Sequence, residues 1–306
     1  MRITIDEALA LFLHDEVVAI PTETVYGLAA PITSSKAIEK VFSLKRRPSS
    51  NPLILHVKNA AECAKYTASL LPHFEALTEC FWPGPLTLIV PVKTELVPSI
   101  ARAGLSTCGF RMPLHALTQE LLERCPPLVA PSANLSGRPS GTKPEHIEAD
   151  FGISFPILDG GISVLGLEST ILAFQEGRWR LARQGALSQE ALHSVLGYTP
   201  TYLQVNEKPI CPGQLFRHYA PNTRLLLSEN AIGDYIVGFS DRSYPEAKKV
   251  FSLGSSSSAE QVAKNLYDTL RKLDLETIAE ASVDMNIPSD GLWSTIRERL
   301  IRAANQ

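Results

Sequence analysis

The sequence predicts an α/β protein with a mixed sheet, followed by a smaller α/β unit. Three observations carry this. Short apolar runs alternate with amphipathic segments through the first two hundred residues. From Tyr198 to Pro221 that rhythm stops, and proline, glycine and polar residues take over. The rhythm then restarts and continues to the end. At ~150 residues per domain, 306 residues suit two such units.

Thr4-Ile5-Asp6-Glu7 has capping-box spacing and opens a helix through Leu13. Val17 to Ile20 is an apolar run that stops at Pro21, which reads as a buried strand. A helix follows from about Ser35, with Ile38, Val41 and Phe42 on one face. Strands are predicted at Leu53 to Val57, Leu86 to Val90, Phe110 to Met112, Leu128 to Ala130, Ser169 to Ala173 and Arg178 to Arg183. Helices fill Ala60 to Phe81, Ala116 to Arg124, Pro144 to Ala149 and Ser188 to Val195. Beyond the irregular stretch, Arg224 to Leu227, Tyr235 to Phe239 and Val250 to Leu253 read as strands. Ser255 to Ser258 leads into a helix with Val262, Leu266 and Leu270 on one stripe, and Leu292 to Ala304 closes the chain as an amphipathic helix. The pattern leaves strand order open.

Composition narrows the function. Hydrophobic residues make up 44% and charged residues 20%, the balance of a globular protein that buries a core without disulfides or structural metal. A net charge of -3 argues against a dedicated nucleic-acid binder, though a local basic groove stays open. Cys63, Cys80, Cys108, Cys125 and Cys211 include no C-x-x-C pair, which argues against a zinc ribbon or a disulfide framework. They read as buried or incidental thiols of a reducing compartment. The first residues carry acids where a signal peptide needs an apolar run, and no apolar stretch approaches the ~18 residues of a membrane helix. A cytoplasmic protein with no membrane contact is expected. The Walker, dinucleotide, nucleophile-elbow and H-E-x-x-H motifs are all missing, so any nucleotide is held another way.

Five polar segments stand at strand ends. Pro21-Thr22-Glu23-Thr24-Val25-Tyr26-Gly27-Leu28 follows a buried strand, where α/β folds bind ligands; it also reads as a turn with capping threonines. In Lys45-Arg46-Arg47-Pro48-Ser49-Ser50-Asn51-Pro52, adjacent cations suit a triphosphate or make a solvated charge cluster. His56, in the strand that follows, is a ligand group or a hydrogen-bonded core histidine. Arg111 lies inside an apolar strand and needs an anion. A substrate carboxylate fits its planar fork, and a protein carboxylate would serve as a structural bridge. Ala130 to Thr142 is rich in small and hydroxyl residues that let a ligand approach the backbone, or is an ordinary surface loop. The fifth segment is Leu167-Glu168-Ser169-Thr170, with Arg183 on the next strand.

In order, PTETVYGL, KRRPSSNPLILHV, FWPGPLTLIV, FRMP, APSANLSGRPS, GLESTI and CPGQLFRHYAPNTRLLL resemble the YrdC-like threonylcarbamoyl-AMP synthases in their long, two-domain form, over nearly the whole chain. The resemblance implies a twisted α/β sheet with a large open cavity over 1–198, a linker over 199–221 that crosses the cavity, and a small Rossmann-like domain over 222–306. It implies that L-threonine, bicarbonate and ATP give threonylcarbamoyl-AMP and pyrophosphate, with Mg2+ on the triphosphate and no dedicated protein metal site. Other proteins would then transfer the threonylcarbamoyl group to tRNA, and this chain could touch tRNA weakly. Carried over by position, Thr24, His56, Arg111, Ala130 and Ser169 are expected in the threonine pocket. Lys45, Arg47, Asn51, Thr107, Ser132, Asn134, Ser140, Arg183 and Tyr219 are expected on ATP, with Lys45, Arg47 and Arg111 as the catalytic groups. The related hydrogenase-maturation enzymes carry zinc fingers and an acylphosphatase domain that this sequence lacks. A non-catalytic RNA-binding module would fit poorly with the acidic net charge.

Overall fold

The computed structural model describes residues 1–69, 71–203, 210–211 and 218–305. In chain order the first part runs β1 (Arg2–Ile3), α1 (Ile5–Leu13), β2 (Val18–Ile20), β3 (Gly27–Pro31), α2 (Ser35–Lys45), β4 (Ile54–His56), α3 (Ala60–Tyr66), α4 (Phe74–Phe81) and β5 (Leu86–Pro91). It continues with β6 (Thr107–Arg111), α5 (Ala116–Glu123), β7 (Leu128–Val129), α6 (Pro144–Phe151), β8 (Ile157–Leu158), β9 (Thr170–Gln175), β10 (Arg178–Arg183) and α7 (Gln189–Leu196). These strands form one ten-stranded mixed sheet, in the order β1-β8-β2-β3-β7-β4-β6-β5-β9-β10. The second part holds β11 (Arg224–Ser228), β12 (Tyr235–Gly238), β13 (Lys249–Ser252), α8 (Ala259–Leu275), β14 (Glu280–Asp284) and α9 (Gly291–Ala304). Its four strands pair in parallel as β11-β14-β12-β13.

Local signals explain most boundaries. Thr4 accepts from the Glu7 amide while the Glu7 carboxylate accepts from the Thr4 amide, a complete capping box. Ser34, Asn59, Ser188 and Ser258 cap their helices in the same sense. The single helix predicted over Ala60 to Phe81 is two helices. Thr67 is extended at the end of α3, and Pro72, which has no N–H to donate, stands just before α4. Four strands escaped the sequence reading: β1, β3, β8 and β14. β1 and β8 are two residues each, and β3, Gly-Leu-Ala-Ala-Pro, lacks any β-branched residue.

One core, with Leu28, Leu55, Phe110 and Trp179 at its centre, fills the large sheet. A second gathers Leu266, Val283 and Ile296 from the smaller sheet and its helices, and takes in Val25, Leu167 and Tyr219. The two parts therefore share buried surface. Ion pairs close the seam: Arg271 to Asp150 at 2.7 Å, Arg138 to Asp274 at 3.1 Å and Lys143 to Asp268 at 2.5 Å. Part of the expected linker extends the sheet, because Thr201 and Leu203 bond to the Leu181 backbone at the free edge of β10.

Candidate active site

The central strands decide where the site lies. β4 and β6 pair in parallel, with Ile54 opposite Gly109 and His56 opposite Arg111. His56 and Arg111 thus sit side by side at the carboxyl ends of both strands. At the opposite ends, Thr107 opens β6, and Arg47 donates to the carbonyls of Asn51 (3.1 Å) and Pro52 (2.8 Å) just before β4. At ~3.3 Å per residue, the two ends of β6 are ~13 Å apart.

A narrow cavity of about 60 Å3 opens beside these strands. Thr24, His56, Arg111, Ala130 and Ser169 all line it, as do Arg47, Ser132, Asn134, Ser140, Arg183 and Tyr219. Val25, Ile54, Pro131, Arg138, Glu168 and His218 complete the wall. No sequence signal gave Glu168 a role; it lay unassigned inside a recognised segment. Lys45, Asn51 and Thr107 are not part of the lining. A second cavity of 670 Å3 lies between α7 and the start of α9, but among the described residues its wall has no lysine or arginine and includes Glu190 and Asp290, a poor match for a triphosphate.

Lys45 shows why it stands apart. It is 1% exposed, and its ammonium donates to the backbone carbonyls of Ser132 and Asn134. Burial and the nearby Arg47 lower its pKa well below the usual lysine value. Its observed work is to hold the 132–134 loop in shape. Asn134 shapes the same loop, donating to the carbonyls of Leu135 and Arg138.

The electrostatics favour anions. Arg47, Arg111, Arg138 and Arg183 all reach the cavity wall. Burial and the neighbouring Arg183 push the Arg47 pKa down to about 9, so Arg47 remains charged at neutral pH. Arg183 donates to the Ser169 carbonyl at 2.8 Å, and Ser169 Oγ lies 2.8 Å from Thr87 Oγ1. Arg111 donates through Nε to the Gly84 carbonyl at 3.2 Å and lies 2.8 Å from Glu23 through Nη2. Among the described residues Nη2 has no hydrogen-bond partner, so its contact with Glu23 is an ion pair that leaves hydrogen-bonding capacity unused. Burial and the Arg111 charge push the His56 pKa down to about 3, so the imidazole is neutral. Among the described residues, buried polar atoms without hydrogen-bond partners gather here: His56 Nδ1, Arg111 Nη2, Asn134 Oδ1 and His218 Nε2. Native interiors rarely leave such groups unmade, and their clustering marks a surface built for something else to bind. Among the described residues no three of His, Cys, Asp or Glu converge to hold a metal.

Residues 10–185 match the family model described as "Telomere recombination", and residues 187–305 match that of the threonylcarbamoyl-AMP synthase C-terminal domain. The chain belongs to the threonylcarbamoyl-AMP synthase family. It is similar to the threonylcarbamoyl-AMP synthase of Bacillus subtilis, 38% identical over 98% of this chain and 92% of that protein. The Pyrococcus abyssi synthase is 35% identical over 97% and 93% of the two chains. The crystal structure of P. abyssi Sua5 complexed with L-threonine superposes with a TM-score of 0.89 and 31% identity, covering 99% of this chain and 96% of that one. This synthase is a nucleotidyltransferase that makes threonylcarbamoyl-AMP, the first step of threonylcarbamoyladenosine modification of tRNA. Its α/β architecture, a ten-stranded mixed sheet with a four-stranded parallel partner, is that of the P. abyssi structure. Among the described residues no helix is long and apolar enough to cross a membrane.

Proposed function

We propose that L-threonine binds at the carboxyl ends of β4 and β6, and ATP along their amino ends. The observation that carries this is the order of side chains along the paired strands: His56 and Arg111 at one end, Arg47 and Thr107 at the other. The ~13 Å between those ends suits an amino acid lying beside the α-phosphate of a nucleotide. Thr24, His56, Arg111, Ala130 and Ser169 form the threonine pocket, with the Arg111 guanidinium shared between Glu23 and the threonine carboxylate. Arg47, Ser132, Asn134, Ser140, Arg183 and Tyr219 take the nucleotide, while Asn51 and Thr107 shape the phosphate end. Lys45 acts through the loop it braces and reaches phosphate only by releasing those carbonyls.

The threonine amine captures CO2 supplied by bicarbonate. The carbamate oxygen then attacks the α-phosphorus, the bond to the β-phosphate oxygen breaks, and pyrophosphate leaves. No covalent enzyme intermediate is required. Two anions must be held together, so positioning and fixed positive charge supply most of the acceleration. Mg2+ carried by ATP would neutralise phosphate charge; the cavity carboxylate of Glu168 is already committed to Ser140, Tyr267 and Arg299 and would contribute little to holding it.

The linker over 199–221 forms the lid between a catalytic domain over 1–198 and the domain over 222–306. The cavity is narrow, about 60 Å3, and Tyr219 and His218 stand in its wall, so a lid made by this segment would open for nucleotide entry and close over the bound ligand. Residues 204–209 and 212–217, Arg217 among them, lie outside the described residues; His218, Tyr219 and Ala220 carry the argument. The solved H→A/Y→A double variant of P. abyssi Sua5 alters an adjacent His–Tyr pair, and His218-Tyr219 is such a pair here. The product passes to tRNA threonylcarbamoyl-transfer proteins in the cytoplasm, with at most weak contact to tRNA by this chain. The direct test is to incubate the pure protein with ATP, bicarbonate and L-threonine. Pyrophosphate that appears only with threonine and bicarbonate present supports the reading, and ADP with phosphate overturns it.

A further inference from the structure

Glu168 is 6% exposed and stands in the cavity wall, yet the chemistry above gives it no task. Its carboxylate has three partners on three different segments. Ser140 Oγ donates to Oε1 at 2.6 Å. The Tyr267 hydroxyl on α8 donates to Oε2 at 2.8 Å, and Arg299 Nε on α9 donates to the same oxygen at 3.1 Å. Burial opposes the charge, but Arg299 and Arg183 together hold the carboxyl below its ordinary value, so Glu168 is an anion.

The same two α8 and α9 side chains also hold Tyr219. The Tyr267 ring stacks on the Tyr219 ring, centroids 5.4 Å apart and planes at 20°. The Arg299 guanidinium lies over the same Tyr219 ring, 4.8 Å from its centroid. Tyr219 itself has φ 66, a left-handed conformation that a tyrosine adopts at a cost and keeps only when its surroundings impose it. Tyr267 and Arg299 are part of those surroundings, with the His218 ring beside them, and both hydrogen-bond to Glu168.

We propose that Glu168 is a positioning residue: by anchoring Tyr267 and Arg299 it sets the clamp that holds Tyr219 at the nucleotide cavity, and through Ser140 it ties that clamp to the ligand loop. The C-terminal domain thereby acts on the reaction as the source of the clamp. This rests on the reading that Ser140 and Tyr219 serve ATP. A carboxylate is the suitable group, since one oxygen accepts from a phenol and a guanidinium together, which a neutral amide does less strongly.

The test is a double-mutant cycle on the full-length protein, with KM measured separately for ATP and threonine. Glu168→Gln should raise the ATP KM about tenfold and leave the threonine KM within twofold. Tyr219→Ala should raise the ATP KM by a similar factor. Combined, the two should cost little more than either alone, because both disable one clamp. If the two factors multiply, Glu168 is an interdomain staple and the proposal falls while the lid reading stands. If Tyr219→Ala alone leaves the ATP KM unchanged, the lid reading fails and takes the proposal with it. Should Glu168→Gln not fold, Tyr267→Phe replaces it in the cycle: it keeps the stacked ring and removes only the hydroxyl that meets Glu168. A several-fold rise in ATP KM that does not multiply with Tyr219→Ala supports the proposal, and multiplication or no rise overturns it.

Discussion

Arg111 and Glu23 face each other across 2.8 Å with side chains that are 6% and 5% exposed. The strand arginine that needs an anion already has one from the protein. One side chain thus makes a buried ion pair and lines the cavity.

That arrangement separates two substitutions. Arg111→Lys keeps a charge beside Glu23 but loses the planar fork, so the threonine KM should rise at least tenfold with little change in the ATP KM. Arg111→Ala leaves Glu23 buried with its charge uncompensated and, among the described residues, only the Leu114 amide as partner, and should destabilise the fold by about 3–5 kcal/mol. Isothermal calorimetry with threonine, and urea unfolding of both variants, read the two effects. Unchanged threonine affinity in Arg111→Lys would make the residue purely structural.

Tyr219 offers a contrast between ring and hydroxyl. Burial pushes its pKa up to about 12, so the phenol is neutral, and its observed contacts to Tyr267 and Arg299 are made by the ring. Tyr219→Phe should therefore keep the ATP KM within about threefold, while Tyr219→Ala raises it about tenfold. Equal losses in the two would show that the hydroxyl, and not the stacked ring, is what matters.

His56 makes stability depend on pH. Its folded pKa of about 3 lies below the ordinary 6.5 because burial and Arg111 disfavour the imidazolium. Between those values the unfolded chain binds more protons, so stability rises with pH across the window and falls as pH drops below 6.5. The slope from this one group approaches about 1.4 kcal/mol per pH unit. Urea midpoints at pH 7 and pH 5 should differ in the wild type, and His56→Gln should reduce the difference.

Gly185 lies against the backbone that presents Glu168 and Ser169. A Cβ there would meet Ser169 C and Thr170 N at 2.3 Å and Glu168 O at 2.4 Å, contacts that no side-chain shift relieves. Gly185→Ala should therefore lower the melting temperature by at least ~5 °C and depress activity with it. A variant with unchanged melting by circular dichroism would mean the segment moves freely.

What the sequence determined by itself was whatever depends on neighbouring residues. The capping box at Thr4 and Glu7, the apolar stripe of α8 and the run ending at Pro21 are signals a few residues long, and their elements formed where predicted. The resemblance placed His56, Arg111, Ser169 and Arg183 among the site residues, and all four border the cavity. Strand order, the short strands β1 and β8, and the partners of each charge belonged to tertiary structure. Lys45 reads in sequence as one of a cluster of loop cations, but its ammonium is capped by carbonyls 87 and 89 positions away. Glu168 reads as an unremarkable acid, but meets Tyr267 and Arg299 from 99 and 131 positions away. Periodicity reports which face of an element is buried; it carries no record of which distant group will compensate a buried charge. That partner is selected only when chain closure brings the segments together and the cost of leaving the charge unpaired decides the packing.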